Sequence, residues 1–169
     1  MRDEVDRLVE AWRQERPDLD VEPLAVLSRV TRLARHLDRA RRQAFAAHGL
    51  DAADFDVLAA LRRSGRPYEL TPGQLVGQTL VSSGTMTHRI DKLEARGLVR
   101  RRPDADDGRV VRVRLAARGR DRVDAALTDL LADERALLGG LSDRQRATLA
   151  SLLRSVVAPF DQRPPPRRS

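Results

Sequence analysis

Cysteine is absent from all 169 residues, which removes disulfides, thiolate nucleophiles and thiol-based redox sensing in one step. A reducing compartment fits that absence. Aromatic residues are scarce at 3%, so a core has to be built mainly from Leu, Val and Ala; together with 34% charged residues this mixture favours helices. Long apolar runs are missing too. None approaches the roughly 18 residues of a membrane span, and the opening "MRDEVDRLVE" is too acidic and interrupted for a signal peptide. The expectation is a soluble, cytoplasmic protein with no membrane partner. Histidine occurs only as His36, His48 and His88, on three different expected helices. With no nucleophile motif and no glycine-rich phosphate loop between a strand and a helix, neither an enzyme nor a bound cofactor is expected, and a zinc sensor is disfavoured. Lysine occurs once, as Lys92, every other cationic side chain apart from the histidines being arginine.

What is present in excess is positive charge. The formal net charge is +7 and the sequence pI about 11.2, which points toward a polyanion or an acidic surface as partner.

Apolar periodicity organises the rest. Val5, Leu8, Val9 and Trp12 mark one face of a first helix that Pro17 ends. Pro23 starts a second, striped by Leu27, Val30, Ala34 and Leu37 and running to Gly49. "LDAADFDVLAALRRSG" predicts a third helix between a cap at Asp51 and a stop at Gly65, and "LTPGQLVGQTL" a short fourth capped by Thr71. Ser82 caps a fifth, which runs to about Arg96 and stops at Gly97. The period then changes: "LVRRR" and "VVRVRL" flank the turn-forming "PDADDG", a two-stranded hairpin. Helical spacing returns from Val123 to Leu138, breaks at Gly139 and Gly140, and resumes after a Ser142–Gln145 capping box with a stripe from Leu149 to Phe160.

The expected fold class is mainly α with a small β-hairpin wing: a winged helix-turn-helix flanked by long dimerisation helices. Residues 1–17 form an additional N-terminal helix, 18–50 and 118–161 a helical dimerisation region, 51–117 the winged DNA-binding region, and 162–169 a disordered basic tail. The terminal stripes hold more apolar surface than one small winged domain covers, which predicts a homodimer. Its two reading helices would enter successive major grooves about 34 Å apart.

On the fifth helix, Met86, Ile90 and Leu93 share the face that points into the domain, while Gly84, His88, Asp91, Lys92 and Ala95 lie opposite, with Thr85 and Thr87 at the margins. Ser83, Thr85, Thr87, His88 and Lys92 are short or polar groups suited to the base edges and phosphates of double-stranded DNA. Arg109, near the hairpin tip, suits a minor groove. A merely solvated face is the alternative, and the arginine-dense hairpin beside it weighs against that. Arg89 lies only about 60° from the apolar centre by the same rotation, so it leans toward the protein, either as a structural ion pair or with a further role.

Residues 24–160, and the run "HGLDAADFDVLAALRRSG…LTPGQLVGQTLVSSGTMTHRIDKLEARGLVRRRPDADDGR" above all, resemble the MarR family of regulators. That resemblance implies a homodimer that represses genes from a pseudo-palindromic operator and leaves it when a small ligand binds. A narrower likeness is to the urate-responsive, PecS-like subfamily, which has an extra N-terminal helix with a tryptophan. It implies that Trp12, Asp56, Arg89 and Arg101 bind a small anionic ligand, urate or a related purine. The chemistry is consistent: a planar purine anion takes a flat apolar partner, cationic donors and an acceptor for its N–H groups. Each residue also has an ordinary alternative: Trp12 as a core residue, Arg101 as a phosphate contact, Asp56 on a solvated stripe, and Asp56 paired with Arg89 when no ligand is present. Two positions depart from the family pattern, Gly108 where arginine is usual and Ala116 where threonine is usual. A different aromatic or carboxylate ligand, and a winged-helix protein-interaction module, are the competing readings.

Overall fold

The computed structural model describes residues 2–79, 83–104 and 107–161, and the side chains of Ser83 and Asp161 are not among the described features. The expected cap Ser82 and the expected tail at 162–169 therefore lie outside the described residues. Among the described residues ten elements follow in order: α1 (Glu4–Glu15), α2 (Glu22–Ala47), α3 (Ala52–Arg63), β1 (Glu69–Leu70), α4 (Pro72–Gln78), α5 (Ser83–Ala95), β2 (Val99–Pro103), β3 (Val111–Leu115), α6 (Ala117–Leu137) and α7 (Asp143–Asp161).

The local signals act as their chemistry requires. Asp51 Oδ1 accepts from the Asp54 amide at 2.7 Å and caps α3. Thr71 and Gln74 close a capping box at α4: the Thr71 amide donates to Gln74 Oε1 at 2.9 Å and the Gln74 amide to Thr71 Oγ1 at 3.2 Å. Gly97, with φ of +67°, turns the chain from α5 into β2 through a left-handed conformation that a side chain would disfavour.

The structure adds one strand that the sequence pattern does not announce. β1 has only two residues, too few to alternate, yet it pairs antiparallel with β3 (Glu69 opposite Arg114, Leu70 opposite Val113) and makes the sheet three-stranded in the order β1-β3-β2. The wing is thus anchored to the segment before α4 as well as to itself.

The chain divides into two compact units, one reaching Leu130 and the other beginning at Leu131. The core of the first is built around α3, whose Val57, Leu58 and Leu61 are fully buried against Leu75 of α4, Met86, Ile90 and Leu93 of α5, and Val99 and Val113 of the wing. Burying each of the three α5 side chains contributes about 1.5–3 kcal/mol, which fixes the rotation of α5. Phe45 of α2 stacks on Phe55 at 4.1 Å between ring centroids. A smaller cluster of Val5, Val9 and Val21 joins α1 to α2, rimmed by ion pairs from Arg29 to Asp3 and Asp6 at 2.9 and 2.6 Å. Val26, Leu27, Val30 and Leu33 along α2 remain exposed. In the second unit, α7 carries its own exposed apolar row of Leu152, Leu153, Val156, Val157 and Phe160.

Candidate functional site

The inner face of α5 is buried and its outer face is open. Met86, Ile90 and Leu93 are inaccessible, whereas Thr85, Thr87, His88 and Lys92 are exposed. Arg109 is exposed next to the hairpin turn, where its amide donates to Asp107 Oδ1 at 3.0 Å.

Arg89 falls between these faces, and its side chain is only 18% exposed. Nη1 donates to Asp51 Oδ2 at 2.6 Å and to Asp54 Oδ1 at 2.7 Å. The other oxygen of Asp54 accepts from Arg96 Nη1 at 2.7 Å, and Arg96 also donates to the carbonyl of Gly49. Lys92 Nζ stands 3.3 Å from Asp51 and 3.7 Å from Asp54. Asp54 is 1% exposed, and a carboxylate so deeply buried is tolerable only when paired and hydrogen-bonded. The start of α3 is therefore clamped to α5 and to the residue after it by two acids and three cations.

The cluster tunes its own charges. Burial raises the carboxyl pKa of Asp51, but the Asp54 amide, Arg89 and Lys92 outweigh it and hold the group below its ordinary value. Burial likewise opposes the charge of Arg89, and the bonds to Asp54 and Asp51 overcome it and raise its pKa. Nε of Arg89 is buried and has no hydrogen-bond partner among the described residues.

The expected pairing of Arg89 with Asp56 is corrected: its partners are Asp51 and Asp54. The reason is helical phase. Asp54 precedes Val57, Leu58 and Leu61 by three, four and seven residues, so it shares their inward face. Asp56 instead lines a separate cavity of about 260 Å³ with Arg63, Gly77, Gln78 and Thr79, a lining that includes none of Trp12, Arg89 and Arg101. Arg101 turns onto α5, its Nη2 2.5 Å from Asp91 and its Nη1 2.7 Å from Glu94, while its amide donates to Glu94 at 2.7 Å. Trp12, on α1, is 47% exposed and not a core residue.

Burial raises the carboxyl pKa of Asp56, with Arg41 and Arg63 only partly offsetting it. A folded pKa above the unfolded one stabilises fully below the unfolded value, and that contribution is lost as pH rises through the folded value. Ionised Asp56 is thus a cost at neutral pH. Asp56→Asn is expected to raise the melting temperature at pH 7 by on the order of a degree, with the advantage shrinking as pH falls toward about 4. Equal or lower melting of the variant at pH 7 would contradict this.

Asp54 and Arg96 were not singled out from the sequence. A carboxylate at an apolar helical position was the available signal, because it demands cationic partners.

A family model described as MarR family matches residues 48–110. The chain is also 38% identical over 150 residues to the HTH-type transcriptional regulator PecS of Dickeya dadantii, covering 89% of this chain and 90% of the relative. The chain belongs to the MarR family. Among solved structures it is similar to a mutant of E. coli MarR complexed with operator DNA, with a TM-score of 0.65 and 27% identity, over 82% of this chain and 99% of that one. It is also similar to Bordetella bronchiseptica BpsR, in a structure concerned with regulation of DNA binding by 6-hydroxynicotinic acid. There the TM-score is 0.64 and the identity 28%, over 78% of this chain and 91% of that one. These relatives are transcriptional regulators and not enzymes. In this MarR-family regulator α4 and α5 are the paired helices of the helix-turn-helix, and β2 with β3 is the wing.

Proposed function

We propose that this regulator is a homodimeric repressor that reads a pseudo-palindromic operator through α5 and releases it when a purine-type anion such as urate binds. What carries the reading is the division of α5 into an open polar face and an inward-turned Arg89 held by α3. Ser83, Thr85, Thr87, His88 and Lys92 are assigned to the major groove and Arg109 to the wing contact. The likeness to an operator-bound MarR, and to a relative whose DNA binding responds to a heteroaromatic acid, supports both halves of the reading. The exposed apolar rows of α2 and α7 support the dimer. The domain plan is part of the same proposal: residues 51–117 bind DNA, while 18–50 and 118–161 hold the dimer together.

For the ligand, the family resemblance assigns Trp12 as a flat apolar surface, Arg89 and Arg101 as donors and Asp56 as an acceptor; since Asp56 lines a cavity apart from the other three, binding has to draw them together. An anion at Arg89 competes with Asp51 and Asp54 for the same guanidinium, and the unpartnered Nε gives it a donor that the carboxylates leave unused. Loosening that clamp frees α5 from α3. By linkage, the ligand prefers the DNA-free form by the same factor with which it weakens operator affinity. Arg89→Ala is expected to abolish the response to urate and, because it breaks the same clamp, to lose some operator affinity without ligand, while Trp12→Ala weakens urate at least tenfold and keeps operator binding. Fluorescence anisotropy of labelled operator titrated with urate measures both; release of both variants at the wild-type urate concentration refutes the sensor.

A further inference from the structure

Strand alternation divides the wing into two faces with different chemistry. Val99, Val113 and Leu115 turn into the core, and Arg101 turns onto α5. The opposite face carries Arg100 across from Arg114 and Arg102 across from Arg112. Like charges directly opposite each other in a sheet repel. Arg112 is paired with Asp104, and Arg114 stands 3.5 Å from Glu69. For Arg100 and Arg102 there is no carboxylate partner among the described residues.

Arg100, Arg102 and Arg114 border an open space. A cavity of about 540 Å³ is lined by Arg66, Tyr68, Arg100, Arg102, Arg114 and Arg120, among others, a size in the range of small-molecule sites. The Tyr68 ring is held as a wall by Arg62, whose guanidinium carbon lies 5.0 Å from its centroid. Ala116 and Ala117 complete the lining. The Ala116 carbonyl accepts from the Arg120 amide at 2.9 Å, which puts Ala116 at the capping position of α6, and it has no side-chain oxygen to fill that role. The first turn of α6 contains no acidic residue either, so the positive end of a long helix adds to the arginines.

We propose that this cavity is an anion site, separate from the α5 face, for a small multivalent phosphate of the pyrophosphate or tripolyphosphate type. Arg100 and Arg102 are two residues apart on one strand, about 7 Å, so each guanidinium engages a different phosphoryl group in a two-point contact. A single carboxylate leaves one of the two unmatched. The site is concave and lies on the sheet face turned away from α5, which favours a compact ligand over duplex backbone.

The test is calorimetric titration of the full-length chain with sodium tripolyphosphate and pyrophosphate at constant ionic strength. One saturable site per protomer is expected. The double variant Arg100→Ala with Arg102→Ala should bind at least tenfold more weakly and melt no lower than wild type, since it relieves the cross-strand repulsion. Ala116→Asp, which caps α6 and puts a negative charge into the cavity, should weaken binding comparably while the far-ultraviolet circular dichroism is retained. Absence of saturable binding overturns the proposal, as does equal binding by the variants. So does a double variant that loses duplex affinity and salt dependence while its tripolyphosphate binding is unchanged, because the face then serves the duplex backbone.

Discussion

Gly119→Ala is expected to cost about 3 kcal/mol or more of stability, although the same change in an open helix stabilises by up to about 1 kcal/mol. A Cβ at Gly119 would stand 2.1 Å from the carbonyl oxygen of Leu98, 2.9 Å from its carbon and 3.0 Å from Leu115 Cδ1. The obstruction is backbone, and that carbonyl is already committed to the Ala116 amide at 3.0 Å. Relief requires α6 to move off the segment entering β2, which is the base of the wing. A drop in melting temperature of roughly 6–12 °C follows for a chain of this size. Gly77→Ala is the control: a Cβ there meets nothing within 4 Å, and that variant should melt at or above wild type. If urea denaturation places Gly119→Ala level with the control, the close approach of α6 to Leu98 is wrong.

The second large effect is expected at Asp54. Removing one partner of a buried ion pair leaves the other charge uncompensated, at a typical cost of about 3–5 kcal/mol. In Asp54→Ala two arginines lose a partner: among the described residues Arg89 keeps Asp51 and Arg96 keeps the Gly49 carbonyl. Asp51→Ala removes an N-cap, worth about 1 kcal/mol, and a half-exposed contact that solvent screens. The expected order is Asp54→Ala well below Asp51→Ala, with Asp54→Asn between them because its shape and one acceptor remain. Chemical denaturation of the three variants measures this. An Asp51 variant less stable than the Asp54 variant would show that the buried clamp is not what holds α5 to α3.

Much of this arrangement was legible beforehand because its causes are local. The caps at Asp51 and Thr71 and the glycine stops at Gly49, Gly65 and Gly97 are decided within a few residues. The inward Met86, Ile90 and Leu93 follow from helical phase alone. The lean of Arg89 toward the protein followed from that same phase, but its partner did not. Helical phase already put Asp54 on the apolar face of α3; that this face meets Arg89 of α5 and Arg96 just after it is the tertiary fact that the sequence did not supply. β1 was illegible for a different reason: two residues have no period, and the pairing that defines them is supplied by β3 across more than forty residues of chain. Apart from Arg101 and Arg109, which were given roles of their own, the arginines of the wing were visible only as a sum of charge. Which of them are neutralised, by Asp104, Glu69, Asp91 or Glu94, and which are left facing a cavity, is set by strand register.

The two oxygens of Asp51 are divided between different tasks: Oδ1 holds the Asp54 amide at 2.7 Å and Oδ2 holds Arg89 at 2.6 Å. The carboxylate thereby wires a backbone N–H of α3 to a side chain of α5. A displacement of Arg89 changes the electron density on Asp51 and hence the proton shielding and solvent exchange of that one amide. In a nitrogen-15 correlation spectrum the Asp54 cross-peak is therefore a resident gauge of where α5 sits, readable in the native chain without a label attached to the face that meets DNA.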